Sequence, residues 1–446
     1  MRQPSPRGSW PGVLTAVVVA CSLLGDSFLY IGLPLQFKTL ELSLVSVGIL
    51  LSVNRFVRFF SNTWAGYIYR RYGIRLPLVA AICVGTMATL SYSVISGFLP
   101  FLIARIVWGV AWSFLRLPGY FFVAAASGER RGKIMGLYQS ISVIGSLCGT
   151  LVGGFLLDLW GFRSAVLFLT CGSAIGIPVA LSLKDAERLL LGEPRTSAPI
   201  NLKLIFGGFK MLGTGLGTTM NNLLLGSVLT STLALYLLEL VGEEGVSILG
   251  VTVGIATLSG FLVATQRMSR IAAGALLGWM SDILGRQRTV AILLTGGVAS
   301  MALLGLSYSI SVVVLAVLLA FISSTALGVV LATEASDLAA AQDEGREYVI
   351  SSYANWVDLG SAMGPLIAYV LRLGITFRMI YLGASIILLA VAIFHHYAPQ
   401  MGRDWENWRP HVSFCRRLSS FRVRGNLRPM LRPGCILSNR TKTFNE

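Results

Sequence analysis

Long apolar runs follow one another along most of this 446-residue chain and are separated by short polar connections. Each run has about 20 residues, the length at which a helix crosses a hydrocarbon core of roughly 30 Å. Backbone groups in lipid must pair within their own segment, so each run is predicted to be a transmembrane helix. The runs, numbered here as spans 1 to 12, lie near residues 12–35, 44–68, 76–95, 99–124, 133–157, 162–182, 216–240, 250–280, 289–309, 311–334, 347–371 and 377–397. The pattern predicts an all-α integral membrane protein with twelve transmembrane helices.

Lysine and arginine residues are concentrated in the connections on one side of these spans. They cluster at the N-terminus, Arg70, Arg71, Arg75, Arg130, Arg131, Lys133, Arg286, Arg288 and the C-terminal tail. The connections on the other side hold little beyond Lys38, Arg163, Arg372 and Arg378. Because basic loops stay in the cytoplasm, both termini are predicted to be cytoplasmic, in a multi-pass protein of the plasma or inner membrane.

The first six spans and the last six repeat each other in sequence. Arg55 and Arg58 of span 2 recur in span 8 as Arg267 and Arg270, at one constant offset (267 − 55 = 270 − 58 = 212). The same offset joins Gly66 with Gly278 and Gly73 with Gly285, and an offset of 215 joins Tyr138 with Tyr353, Gly145 with Gly360 and Gly149 with Gly364. The repeat predicts two pseudosymmetric six-helix halves, such as those that rock against each other in some membrane proteins. We predict a first half at 1–183, a cytoplasmic linker at 184–204, a second half at 205–397 and a basic, disordered tail at 398–446.

The composition indicates that much of the protein surface faces lipid, and it argues against several other classes of protein. Only 13% of the residues are charged, whereas soluble domains carry roughly 25%. The net charge of +16 is spread over short loops and the tail, which does not favour nucleic-acid binding. The six cysteines form no CxxC pair, and no P-loop sequence or cluster of nucleophiles and metal ligands is visible. We therefore predict no enzymatic activity, no cofactor, no metal site and no obligate protein partner.

Asp26 lies well inside span 1, where an ionisable side chain costs about 2.5–3.5 kcal/mol on insertion scales. It must therefore be paired or face a polar cavity. One interpretation is that Asp26 exchanges a proton as the cavity changes sides, or contacts a substrate. The alternatives are a fixed ion pair with an arginine and a position at the membrane interface. Span 7 has Thr232 at the matching position, so only one half carries this acid.

Arg105 and Arg116 of span 4 are separated by three helical turns (116 − 105 = 11), so they share one face of the helix. We predict that this face lines a cavity, although Arg116 could instead extend towards the membrane surface. Trp112 lies between them, with Trp108, Phe114 and Tyr120 nearby. These aromatic side chains either form an adaptable apolar wall for a ligand or serve only in packing.

The repeated arginine pairs of spans 2 and 8 have two interpretations. Arg55, Arg58, Arg267 and Arg270 either hold a cytoplasmic gate in both halves or bind a carboxylate or phosphate of a substrate. Asp358 is central in span 11, which is expected to face span 2 across the two halves. An ion pair between Asp358 and Arg55 or Arg58 that opens during rocking is a further hypothesis.

The loop after span 8 carries a family resemblance. Gly278, Asp282, Gly285, Arg286 and Arg288 match the pattern G-x-x-x-D-x-x-G-R-x-R/K, which is similar to the signature of the major facilitator superfamily. The resemblance covers the chain from about Pro11 to His396. It implies the twelve-helix fold, transport by alternating access, and a cytoplasmic gate at the Asp282 loop.

The loop after span 2 repeats this pattern with one departure. Gly66 and Gly73 are kept, but Arg70 stands where the family has an acid, which puts the gate of the first half in doubt. In span 4, Arg105 and Gly109 resemble the R-x-x-x-G element that the family associates with proton coupling. By this resemblance Arg105 would tune the proton affinity of an acid such as Asp26.

Span 5 resembles the glycine-rich element of drug and proton antiporters in this family. Gly145, Gly149, Gly153 and Gly154 have the right spacing, but Thr150 replaces the usual proline. The resulting prediction is a proton-coupled exporter of small amphipathic compounds, whose partners are its substrate, protons and the lipid bilayer. The alternative is a transporter or exchanger of organic anions recognised by the embedded arginines. A transport-inactive membrane sensor is a third hypothesis.

Overall fold

The computed structural model of the protein describes residues 10–125, 129–183, 212–248, 250–340 and 346–407. Almost all of these residues are helical. The predicted linker at 184–204 lies outside the described residues, as does the predicted tail beyond residue 407. Residues 398–407, which the sequence assigned to the tail, continue the last helix instead.

The first part of the chain folds into helices that follow the predicted spans. They are α1 (Trp10–Gln36), α2 (Leu44–Tyr72), α3 (Arg75–Ser91), α4 (Phe98–Ala125), α5 (Glu129–Ala174) and α6 (Gly176–Leu181). Helix α5 joins predicted spans 5 and 6, and its helical geometry breaks at Gly161, where φ is 77°. Glycine adopts such a φ without steric cost, so Gly161 makes the turn between two helical arms.

The second part is also mainly helical. It consists of α7 (Leu212–Met220), a π-helical segment (Asn221–Val228), α8 (Leu229–Val241), β1 (Val246–Ile248), β2 (Val251–Val253), α9 (Ile255–Leu284), α10 (Arg286–Leu306), α11 (Ile310–Ala340), α12 (Arg346–Leu371) and α13 (Phe377–Asn407). The π-helical segment directly joins α7 to α8, and the three together correspond to predicted span 7.

The two short strands correct the sequence prediction for span 8. That span was expected to begin near residue 250, whereas α9 begins at Ile255. Strands β1 and β2 pair antiparallel, with Val246 opposite Val253. β-Branched residues favour extended backbone, and Gly250 takes a φ of 82° in the turn between the strands. Apolar character alone could not distinguish this hairpin from the start of a helix.

Two glycines of the repeated loops end their helices in the same way. Gly73 caps α2 with a φ of 77°, and its N–H donates to the carbonyl of Tyr69. Gly285 caps α9 with a φ of 81°. Both positions lie in a backbone region that other residues rarely adopt, which explains why glycine recurs at this position of the repeat.

Eight helical stretches of the described residues are long and apolar enough to cross a membrane. They are Pro11–Gln36, Leu44–Asn62, Phe98–Phe122, Ile134–Leu181, Leu212–Val241, Arg288–Leu306, Ile310–Leu338 and Phe377–His395. Helix α3 is apolar but has only 17 residues, and α9 and α12 carry several polar side chains. The count of twelve crossings therefore stays a prediction.

The helices have two ends that differ in their connections. We call the end with connections 37–43, 92–97, 161, 242–254, 307–309 and 372–376 the distal face, and the opposite end the basic face. First-half residues of the large buried core, such as Leu33, Leu50 and Leu156, lie near the distal face and share that core with second-half residues such as Ile255 and Tyr369.

Near the basic face the described residues form separate clusters. One contains only first-half side chains, among them Ala16, Tyr69 and Phe114. A small second cluster contains Ala335 and Val349 of the second half. Among the described residues, the two parts of the chain therefore share a core towards the distal face and diverge towards the basic face.

Candidate functional site

A cavity of about 280 Å³ lies in the middle of the helices and is lined by both parts of the chain. Helices α1, α2, α4 and α5 contribute from the first part, and the π-helical segment, α8, α9 and α12 from the second. The polar and charged lining includes Asp26, Ser27, Tyr30, Arg55, Arg58, Arg116, Tyr120, Tyr138, Gln139, Asn222, Thr230, Gln266, Arg267 and Asp358. Sites that bind small molecules have volumes of roughly 300–1,000 Å³, so this cavity is close to the lower end of that range.

Asp26 forms a buried ion pair with Arg105 on one wall of this cavity. The Nη1 atom of Arg105 lies 2.5 Å from Oδ1 of Asp26, and Asn54 donates a hydrogen bond of 3.2 Å to the same oxygen. Arg105 is fully buried, whereas Asp26 keeps 7% of its surface exposed. The sequence left a proton-coupling acid and a fixed ion pair among the interpretations of Asp26. The structure contains the ion pair with Arg105, and Asp26 also lines the cavity.

Arg105 also ties α4 to α2, because its Nε donates to the carbonyl of Leu50 at 2.8 Å. Next to it, Arg55 donates to the hydroxyl of Tyr30 at 3.1 Å, and that hydroxyl reaches the carbonyl of Leu51 at 3.4 Å. Buried charges are costly unless they are paired and hydrogen-bonded. These bonds therefore fix the orientation of both guanidinium groups.

Arg58 differs from these two arginines. Its guanidinium lies 5.2 Å from the ring of Trp112 and 5.8 Å from that of Trp108, and the two indoles stack at 5.4 Å. Its Nε atom is buried without a hydrogen-bond partner, and none of the ion pairs among the described residues includes it. Arg58 is a cation held by aromatic faces, and its side chain lines the cavity.

Arg116 lies on the cavity wall at the end of the span-4 face predicted from the sequence. Its Nε donates to the hydroxyl of Tyr120 at 2.9 Å, and its carbonyl accepts a bond of 3.2 Å from Tyr138. Its side chain therefore lies on the cavity lining, as the first of the two predicted alternatives has it. Trp112 also lines the cavity, whereas Trp108 is buried behind it.

The hypothetical ion pair between Asp358 and Arg55 or Arg58 is not formed in this conformation, so a pair that opens during rocking stays a prediction. The ion pairs of the described residues include Arg105 with Asp26 and Arg372 with Glu239, and Nε2 of His395 lies 3.6 Å from Oε2 of Glu334. Asp358 lines the same cavity as Arg58 and Arg116.

The lining is therefore richer in positive than in negative charge. Four arginines and two carboxylates are among the lining residues that the structure describes. One of those carboxylates, Asp26, is already neutralised by Arg105, which is buried behind the wall. What remains facing the cavity is an excess of guanidinium groups.

Several predicted gate residues can be placed only in part. Gly66 packs against Leu117 of α4 at ordinary contact distance, and Gly73 and Gly285 cap their helices as described above. Arg267 lines the cavity from α9. The side chains of Arg270, Asp282 and Arg286, and the surroundings of Gly278, lie outside the described residues.

Sequence reasoning missed the neutral polar residues of the site. Asn54 supports Asp26, and Asn222 of the π-helical segment faces the cavity. π-Helical insertions are rare and often occur at functional positions. The adjacent Asn221 and Asn222 inside an apolar span were the available signal. In the described ranges, no group of three or more His, Cys, Asp or Glu side chains is placed to hold a metal ion.

Apolar spans that surround a charged central cavity are typical of multi-pass membrane proteins that bind or move polar solutes. Residues 15–276 match the Major Facilitator Superfamily, and the chain belongs to this family. The resemblance carried by the Asp282 loop is thus confirmed at the level of the family.

Relatives within the family are distant. The chain is 24% identical to the multidrug resistance protein MdtG of Serratia proteamaculans over 417 residues, which cover 89% of this chain and 96% of that protein. It is 23% identical to an uncharacterized MFS-type transporter of Methanocaldococcus jannaschii over 221 residues, 48% of this chain and 57% of that protein. Its fold matches a bacterial homologue of the human lysosomal transporter Spinster in an inward-facing, unoccupied conformation, with a TM-score of 0.68, 15% identity and coverage of 89% and 98%.

Proposed function

We propose that this protein is a secondary transporter of small organic anions, which bind in the central cavity and cross the membrane by alternating access between two six-helix halves. The observation that carries the proposal is Arg58, a guanidinium inside the cavity whose buried Nε has no partner among the described residues. The basic face would be cytoplasmic, by the positive-inside rule.

The chemistry of the cavity favours a particular kind of anion. Arg58 offers donors in a fork that suits a carboxylate or phosphate, and Arg116 stands on the same lining. The ring of Trp112 supplies a flat apolar surface beside Arg58. Such a site suits a small amphipathic molecule with an anionic group at one end and an apolar or aromatic body at the other.

The packing supports a cavity that is open to the basic face. Towards the distal face the halves touch closely: a Cβ at Gly48 of α2 would lie 2.9 Å from the carbonyl oxygen of Pro365 in α12. Gly260 of α9 packs at least as closely against the carbonyl of Thr150 in α5. Closure at one face and divergence at the other correspond to one end state of an alternating-access cycle.

Flux into proteoliposomes tests the proposal with probes that share one aromatic body. We would compare 2-naphthoate and 1-naphthyl phosphate with trimethyl(naphthylmethyl)ammonium. We expect uptake of the anions above that of protein-free vesicles, and no uptake of the cation. Arg58→Gln should lower the apparent affinity about 10- to 100-fold, since a hydrogen bond to a charged group contributes about 1.5–3 kcal/mol. Arg163→Gln, which removes an exposed arginine outside the cavity lining and the gate motif, is the matched control. Uptake of the cation alone would contradict the proposal.

A second candidate is proton-coupled export of amphipathic compounds. It is favoured by the exposed edge of Asp26 in the cavity, and by the multidrug resistance proteins among the relatives. In this mechanism a proton on Asp26 weakens its bond to Arg105, and an outward substrate flux follows an inward proton gradient. Cation efflux that is driven by a pH gradient and lost in Asp26→Asn would favour this candidate over the first.

A further inference from the structure

Asp158, at the distal end of the first arm of α5, makes contacts with the opposite half of the chain. Its carboxylate accepts hydrogen bonds from the backbone N–H of Thr257 at 2.7 Å and of Ala256 at 3.3 Å. The hydroxyl of Thr257 donates a third bond of 2.6 Å. These donors are in the first turn of α9, so a carboxylate of one half caps a helix of the other.

This capping is unusual because α9 has no capping side chain of its own. The N-cap position is Gly254, which makes no side-chain capping bond. The first N–H groups of a helix have no partner within it, and a negative charge there is favoured by the helix dipole. Asp158 therefore supplies what α9 lacks, and only while the two halves are in contact at the distal face.

Gly254 is shaped for this contact. A Cβ at this position would overlap the carboxylate of Asp158. The backbone of Gly254 has φ −67° and ψ 156°, which any residue can adopt, so the absence of a side chain is not required by its conformation. The small residue serves to admit the carboxylate.

We propose that Asp158 is the latch of the distal gate: it stabilises the state closed at that face by capping α9, and releases this helix when the halves separate. The latch rests on the alternating-access part of the proposed function and is independent of which substrate is moved. It is a gating role, since Asp158 is not part of the cavity lining.

Distances between spin labels at the distal face would test the latch. Labels at Thr39→Cys and Gly374→Cys, in a background without native cysteines, report the separation of the α1–α2 and α12–α13 connections. Both positions are exposed, and Gly374 has open space around it. Loss of an N-cap side chain lowers the equilibrium constant for forming the capped helix about tenfold. Asp158→Ala should therefore raise the ratio of open to closed populations about tenfold.

Two further variants separate the latch from a general loss of folding. Gly254→Ala removes no polar group but displaces the carboxylate, so it should shift the ratio as Asp158→Ala does. Asp158→Asn should restore most of the closed state, because asparagine caps helices nearly as well as aspartate. Glu244→Ala, which removes an exposed carboxylate from the same face, should leave the ratio unchanged.

The outcomes distinguish failure of the latch from failure of the transport proposal. If Asp158→Ala and Gly254→Ala are monomeric and folded but keep the wild-type ratio of open to closed populations, the latch proposal is wrong. The transport proposal is not affected by that result. If the wild type shows one unchanging distance without a probe, with 1-naphthyl phosphate and with trimethyl(naphthylmethyl)ammonium, alternating access is wrong and the latch falls with it. If the distances change in the wild type, alternating access is supported whichever naphthyl probe is transported. The variants then decide whether Asp158 is the latch.

Discussion

The two parts of the chain share a pattern of helix packing but differ in the charged residues that they carry within their helices. Tyr138 donates to the carbonyl of Arg116 at 3.2 Å, and Tyr353, its counterpart in the repeat, donates to that of Gly328 at 3.3 Å. In the first part a Cβ at Gly145 would overlap the carbonyl of Ala20. A Cβ at its counterpart Gly360 would overlap the carbonyl of Thr219 in the same way.

The embedded charges break this correspondence. The offset between Arg116 and Gly328 (328 − 116 = 212) places Val317 at the position that matches Arg105, and Thr232 matches Asp26 in the predicted repeat. Val317 is fully buried, and Thr232 shares a hydroxyl bond of 2.8 Å with Tyr381. An ion pair in one half thus corresponds to neutral packing in the other. Close helix packing is common to both parts, and the charged pair belongs to the first.

The largest effect is expected when the ion pair is broken from one side. Arg105→Val, which copies the second half, leaves Asp26 charged and without its partner in a mostly buried position. Removing one member of such a pair costs about 3–5 kcal/mol. The double variant Asp26→Thr with Arg105→Val should recover a large part of this loss. Unfolding by titration with a denaturing detergent, followed by tryptophan fluorescence, measures both.

Thr232→Val is the matched control in the second half. It removes two hydrogen bonds of the Thr232 hydroxyl, one with Tyr381 and a local one to the carbonyl of Val228, and each contributes about 0.5–1.5 kcal/mol. We expect a correspondingly small loss of stability and unchanged transport. A cost for Thr232→Val equal to that for Arg105→Val would mean that the two halves do not differ as described.

A smaller effect tests the shared packing. Gly145→Ala and Gly360→Ala each force a methyl group against a backbone carbonyl, and overpacking of this kind costs about 1–3 kcal/mol. The two losses should be similar when measured by the same detergent titration. Gly383→Ala is the control, because nothing lies within 4 Å of a Cβ there. A tolerated Gly360→Ala beside a damaging Gly145→Ala would contradict the shared packing pattern.

Much of the helical layout could be predicted from the sequence because apolar length and glycine spacing are local signals. The start of α2 at Leu44 and the turn at Gly161 agree with the predicted spans to within a few residues. The hairpin at 246–253 was missed, because a short apolar stretch rich in valine fits a strand and a helix alike.

The charged residues of the candidate site were predictable from the sequence, whereas its neutral polar residues Asn54 and Asn222 were not. Asp26 and Arg105 were identified from the cost of charge in lipid, and the structure brings them to 2.5 Å. The ion pair of Asp358 with Arg55 or Arg58, a hypothesis from facing spans, is not formed in this conformation and stays a prediction. Asp158 gave no signal because an acid at a helix end near a loop is ordinary in sequence.

The most direct test of the central claim is equilibrium binding to the cavity arginine. Isothermal titration of 1-naphthyl phosphate into purified wild type and Arg58→Gln, with trimethyl(naphthylmethyl)ammonium as the opposite charge, isolates recognition from transport. We predict that the wild type binds the anion and not the cation, and that Arg58→Gln weakens binding about 10- to 100-fold, by the loss of about 1.5–3 kcal/mol. Equal affinity of the two proteins for the anion, or binding of the cation only, would contradict the assignment of the cavity to an anionic substrate.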